Sequence, residues 1–229
     1  MNFGELQELL YKLLIQGGSW LTILKGLWTT VQISVLSLLC GTLLGAGVCA
    51  LRMSRLRLIR GLATVYIVVL RGSPVLMLLM LLYYGVFARS SLEAETIAVI
   101  TFSLNVAAHV AELLRSSIGA TDHGQVEAAR TLGFSAWQAF RLVTLPQVVQ
   151  IAKPVYQSTV INLIQWTSVV GYVSITDLTR VINNIASRTM QPMMTIIIGM
   201  LIYLALAYIV HGLFVLSDMR QRGREGATS

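Results

Sequence analysis

Runs of apolar residues long enough to cross a lipid bilayer recur along this chain, and they restrict its fold more than any other feature. A spanning helix needs about 20 mostly apolar residues. Lipid offers no hydrogen-bond partners to backbone N–H and C=O groups, so runs of this kind are expected as helices. The segments that qualify are residues 26–51, 61–87, 94–118, 147–170 and 194–216. The expected fold class is therefore an all-α membrane protein with about five transmembrane helices. Charged residues make up only 12% of the 229-residue chain, about half the share of an ordinary soluble domain. The second span carries Arg71-Gly72-Ser73-Pro74, where proline removes a backbone donor and clashes with the preceding turn. A bend is predicted there.

Charge sets the expected orientation, because Lys and Arg near span ends stay on the cytoplasmic side. Arg52, Arg55, Arg57 and Arg60 follow the first span, Arg115, Arg130, Arg141 and Lys153 surround the segment between the third and fourth, and Arg220, Arg222 and Arg224 lie near the chain end. Lys12, Lys25, Arg89, Arg180 and Arg188 fall on the opposite side, and Arg71 lies within a span. The N-terminus is expected outside, with the C-terminus and the 119–146 loop in the cytoplasm. The net charge of +7 does not point to nucleic acid, since these cations sit at span ends and not on one soluble basic face.

Residues 1–25 are expected as an external amphipathic helix and lead-in. Phe3, Leu6, Leu9, Leu10, Leu13 and Leu14 repeat at helical spacing before Gly17-Gly18. Glu5 and Glu8 interrupt any continuous apolar core, so a cleaved signal peptide is not expected. Residues 26–218 form the membrane domain and 219–229 a basic cytoplasmic tail. Cys40 and Cys49 share the first span, about 13 Å apart along a straight helix, too far to bridge each other. Both are expected as buried packing residues.

The segment 119–146 reads differently from its surroundings. Gly124-Gln125 opens a short helix through Glu127, Ala128, Ala129 and Leu132. Gly133 ends it, because glycine takes the left-handed conformation readily. Ser135 caps a second short helix that presents Trp137, Phe140 and Leu142, and Leu145-Pro146 leads back to the membrane. An ordinary amphipathic connector packed on its own chain is the competing account. The full spacing of Glu-Ala-Ala, three residues, Gly, nine residues, then Val-Thr-Leu-Pro is far more specific than an isolated triplet.

On these residues the chain resembles the permease subunits of polar amino acid uptake ABC transporters of the histidine and glutamine type. Arg71-Gly72-Ser73-Pro74 is similar to that family's Arg-Gly-Thr-Pro, and Asn105 to Glu112 to its Asn-x-x-Ala-Tyr-x-Ala-Glu. Departures are His109 for Tyr, His123 for Lys, Val143 where Ile is usual, and Gln165-Trp166-Thr167-Ser168 for Lys-Asp-Thr-Ser. The resemblance implies the type I importer permease fold in a bacterial cytoplasmic (inner) membrane. Glu127, Ala128, Ala129, Gly133, Leu145 and Pro146 would then form a coupling loop that docks an ATPase dimer. It also implies a second permease subunit, identical or homologous, and an extracytoplasmic solute-binding protein. This chain would bind no cofactor itself, with ATP and Mg held by the ATPase; it has no phosphate-binding Gly-rich loop of its own.

Two polar stripes lie within expected spans. Asn105, His109, Glu112 and Ser116 share one helix face, and Ser158, Asn162 and Gln165, with Trp166 alongside, make a second. Together with Arg71 they are candidates to line a translocation path, because ionisable groups at this depth face a bundle interior or a cavity. Structural roles compete: Glu112 stands three residues before Arg115 and can pair with it, Asn162 and Gln165 can bond neighbouring helices, His109 can be a bonded interior residue, and Arg71 can hold the bent backbone. No catalytic or metal set is expected: His109-x-x-Glu112 lacks a complete metalloprotease motif or a nucleophile elbow. A permease for another small solute, such as an opine or amino acid derivative, and an ATP-independent carrier are the alternatives.

Overall fold

The computed structural model describes residues 3–15 and 18–225. Gly17 of the lead-in and residues 226–229 of the tail lie outside these, as do the side chains of Phe3, Leu6, Leu9, Leu10, Arg220, Arg222 and Arg224. Helices α1 (Phe3–Leu14), α2 (Ser19–Arg52) and α3 (Arg57–Gly72) come first. α4 (Val75–Leu81) widens into a π-turn at Leu82–Val86 and is followed by α5 (Ala94–Gly119) and α6 (His123–Thr131). α7 (Ala136–Ala139) runs through a π-turn into α8 (Leu145–Trp166), which ends in a 3-10 turn at Thr167–Val173. α9 (Leu178–Thr189) and α10 (Pro192–Glu225) complete the order, and no strand occurs among the described residues.

α2, α5 and the Pro192–Ser217 part of α10 are long and apolar enough to cross a membrane, and α3 with α4 counts as a fourth crossing only as one broken span. Three differences from the expected spans follow, and the bend expected at Pro74 is present. α2 starts at Ser19, so the lead-in is already helical. The segment 61–87 is two helices, because Pro74 cannot donate to the helix before it and drives Ser73 to extended φ −90°, ψ 138°. α8 is helical but falls short of that apolarity, since Gln147, Gln150, Lys153, Gln157, Asn162 and Gln165 interrupt it. α10 remains helical through Glu225, well into the expected tail.

The chain forms two compact units. The first comprises Met1–Leu36, Val75–Thr101 and Ile161–Ser229. Its centre is α9, a helix not expected from the sequence, whose Leu178, Val181, Ile182 and Ile185 are buried with Leu13 of α1 and Ile23 of α2. Leu13 thus packs on protein and not on a lipid leaflet. Asp177 caps α9 by accepting from the backbone N–H of Thr179 and Arg180, at 3.0 Å each. α2 can approach this cap because Gly26 has no side chain: a Cβ there would lie 2.8 Å from the Asp177 carbonyl oxygen.

The second unit comprises Ser37–Pro74 and Phe102–Val160. Here α2 meets α5 through Gly41 and Gly45, where a Cβ would come within 2.7 Å of Val106 and Val110 respectively. On α5, Phe102, Val106, Ala107, Ala108 and Ala111 are fully buried. This is the small-residue packing by which membrane helices come close when no hydrophobic force drives them together. Cys49 is buried beside Ile67 and Ala111, as expected, but Cys40 is exposed and both thiols are free.

Candidate functional site

The segment 119–146 folds through its own local bonds. Asp122 caps α6, accepting from Gly124 N–H at 2.9 Å. α6 stops at Gly133, whose φ of +92° is open to glycine and strained for other residues. Beyond it the N–H of Phe134 donates to Ala129 O at 3.1 Å, and the Arg130 guanidinium donates to Phe134 O at 2.6 Å. Ser135 and Gln138 then form a reciprocal capping box on α7. At the base, the Gln147 side chain accepts from Asp122 N–H at 3.0 Å and donates to the Gln125 side chain at 3.1 Å. The two ends of the loop are thereby held together. Sequence reasoning missed Asp122, Gln138 and Gln147, although the Ser-x-x-Gln spacing of a capping box at 135–138 was available to find Gln138.

What the loop buries is small and what it presents is large. Ala129 and Ala139 are buried, while Leu132 is 78% and Trp137 67% exposed. Trp137 and Phe140 stack with ring centroids 5.7 Å apart. Glu127, Ala128, Gly133, Leu145 and Pro146 are all exposed. Leu132, Trp137 and Leu142 thus stand exposed on a framework with its own caps, whereas a connector packed on its own chain would bury them.

The in-span candidates separate. Asn105 is buried, and its Nδ2 donates to Leu70 O at 2.9 Å, the carbonyl that residue 74 would engage in an unbroken helix if it were not proline. Its Oδ1 has no partner. His109 is half-buried, and its Nδ1 donates to Asn105 O at 3.0 Å. Glu112 accepts a fork from Arg115, Nε to Oε2 at 3.0 Å and Nη2 to Oε1 at 2.5 Å. Arg71 is exposed. Ser116 and Ser158 are exposed, with hydroxyls donating to their own helices at Leu113 O and Pro154 O. Asn162 and Gln165 are exposed and Trp166 is half-buried. Among the described residues no cluster of His, Cys, Asp and Glu is arranged to hold a metal ion.

A family model described as the binding-protein-dependent transport system inner membrane component matches residues 37–223. The probable amino-acid ABC transporter permease protein YckA of Bacillus subtilis is 38% identical over 82% of this chain and 83% of its own length. The nopaline transport system permease protein NocM of Agrobacterium fabrum is 29% identical, covering 90% of this chain and 92% of that protein. A crystal structure of an amino acid ABC transporter with histidines superposes with a TM-score of 0.80 at 32% identity, over 87% of this chain and 94% of that one.

Proposed function

We infer, because this chain belongs to the family of binding-protein-dependent transport system inner membrane components, that it forms half of the pathway of an ATP-driven importer for polar amino acids. It is a permease subunit of the ABC importer class, embedded in the inner membrane through apolar helices. Amino acids as the solute are supported by the relative YckA and by the solved amino acid transporter that shares the fold. The nopaline relative supports a second reading, an opine, which is an amino acid derivative carrying the same α-carboxylate and amine chemistry.

The observation that carries the mechanism is the 119–146 loop, which shows Leu132, Trp137 and Leu142 to solvent from a framework closed by Gln147. In the proposed assembly this loop lies in the cytoplasm, with the N-terminus outside, and seats in an ATPase subunit. Closure of two ATPases around ATP and Mg moves the loops of two permeases and biases the bundle between outward- and inward-open arrangements. A solute-binding protein delivers the amino acid from outside. No ATP chemistry is assigned to this chain. Arg71, His109, Ser158, Asn162, Gln165 and Trp166 line this subunit's share of the path. Asn105 supports the break beside Arg71, and the Glu112–Arg115 pair holds its charges together.

The test is affinity purification of the tagged chain from bacterial membranes in mild detergent, with Gly133→Trp and Glu127→Arg beside the wild type. Wild type should retain an ATPase, and both variants should lose it or lose transport while keeping the membrane domain folded. Full ATPase retention and full transport in both variants overturns the docking role.

A further inference from the structure

We propose that the first unit carries a binding site for the headgroup of an anionic phospholipid, in a cleft of about 260 Å³ between α2 and α9 lined by Thr22, Lys25, Thr176, Asn184, Ile185 and Arg188. Two cations stand at this cleft and no anion lines it. Arg188 is held in place, donating from its guanidinium to the buried Ser19 hydroxyl at 2.5 Å. The remaining guanidinium N–H groups and the Lys25 ammonium offer several donors to one acceptor group, the arrangement that binds phosphate.

Depth in the membrane selects a lipid. Residues 26–51 contain no Asp, Glu, Lys or Arg, and as helix they extend about 39 Å, more than the hydrocarbon thickness of about 30 Å. Lys25 therefore stands at the headgroup layer. Arg188 reaches the same layer independently, since it lies in the last turn of α9 just before the uncharged span Pro192–Ser217. Trp20 and Trp28 are exposed on α2 on either side of Lys25, as in the aromatic belts at membrane surfaces. Val181 and Ile185 add apolar wall to the cleft beside the polar Thr22, Thr176 and Asn184, and that apolar wall suits the glycerol and first acyl carbons of a lipid. Basic pockets between membrane helices hold anionic headgroups by this combination. A lipid seated here bridges α2 and α9.

The experiment uses the purified permease with the ATPase that accompanies it, delipidated in detergent and then given phosphatidylglycerol, phosphatidylcholine or inorganic phosphate. Retained lipid is read by native mass spectrometry, and thermal stability by unfolding. Phosphatidylglycerol should be retained at least fivefold over phosphatidylcholine and should raise Tm. Lys25→Gln should cut retention at least threefold, Arg188→Gln should do the same, and Arg188→Lys should recover part of it. Lys25 is exposed, so its variant keeps the test sound if Arg188→Gln does not fold. Equal retention of both lipids, unchanged retention in Lys25→Gln, or equal stabilisation by inorganic phosphate alone each overturns the proposal, the last by assigning the cleft to a free anion.

Discussion

Asn105 illustrates how one side chain resolves a backbone problem that proline creates. Pro74 leaves Leu70 O without its helical donor, and Asn105 supplies one at 2.9 Å from a position 2% exposed. Removing it strands a part-buried carbonyl, at a cost of at most about 1–3 kcal/mol. Asn105→Ala should therefore lower thermal stability in detergent, and the loss should shrink in a Pro74→Ala background, where the backbone N–H returns and a continued helix serves Leu70 itself. An equal loss in both backgrounds rejects the assignment. Spacing alone placed Asn105 on one face with His109 and Glu112, and that much was legible. Which neighbour lies opposite each member of a helix face is a tertiary fact. The stripe accordingly divides into a buried backbone clamp, a half-buried histidine and a local ion pair with Arg115. The Glu112–Arg115 pair was readable because its partners are three residues apart on one helix.

Helices that cross the bilayer announce themselves by composition, whereas α9 does not, being a 12-residue element that spans nothing. Its signal was nonetheless present: Asp177 as a cap, then Leu178, Val181, Ile182, Ile185 and Ala186 at helical spacing. The Gly41-x-x-x-Gly45 spacing was equally available as a sign of close helix packing. Gly41→Ala places a methyl 2.7 Å from Val106, and overpacking of this kind costs about 1–3 kcal/mol. Val106→Ala removes the Cγ contact but keeps the Val106 Cβ at 2.7 Å and the Ser103 carbonyl oxygen at 2.9 Å, so the double variant should recover only a minor part of that loss, measured as unfolding temperature, and full recovery rejects a contact limited by backbone and Cβ. The α9 cap supplies a pH test. Asp177 is fully buried, with the Tyr203 hydroxyl donating to it at 3.5 Å, and burial holds its carboxyl above the usual carboxylate range. The folded state therefore binds the proton more tightly than the unfolded chain. The stability this contributes is complete below the unfolded pKa and is lost as pH rises through the folded value. Asp177→Asn keeps an accepting cap without the titration. Its Tm should match wild type most closely at the acid end and exceed it increasingly as pH rises, while a pH-independent gap rejects the reading.

At the scale of the molecule, α8 bears on the proposal that two permeases share one path. Asn162 and Gln165 are exposed on it, and polar groups facing hydrocarbon cost several kcal/mol each when unsatisfied. Exposure on α2 is of another kind: Leu36, Leu39 and Leu43 are exposed and wholly apolar, a surface that lipid satisfies. The proposed function therefore assigns the two exposed surfaces different neighbours, lipid for α2 and either water or a second permease for α8. On that proposal the shortfall of α8 in apolarity follows, since a helix lining a shared path need not be soluble in lipid. In the assembled transporter with Cys40 and Cys49 replaced by serine, Asn162→Cys should react with a water-soluble maleimide or form a disulfide with a facing subunit, and its rate should change when ATP is bound. Leu43→Cys should react with neither, because a thiolate does not form in hydrocarbon. Equal reactivity at the two positions, or none at Asn162 under any nucleotide condition, places α8 against lipid and leaves the translocation path without this helix.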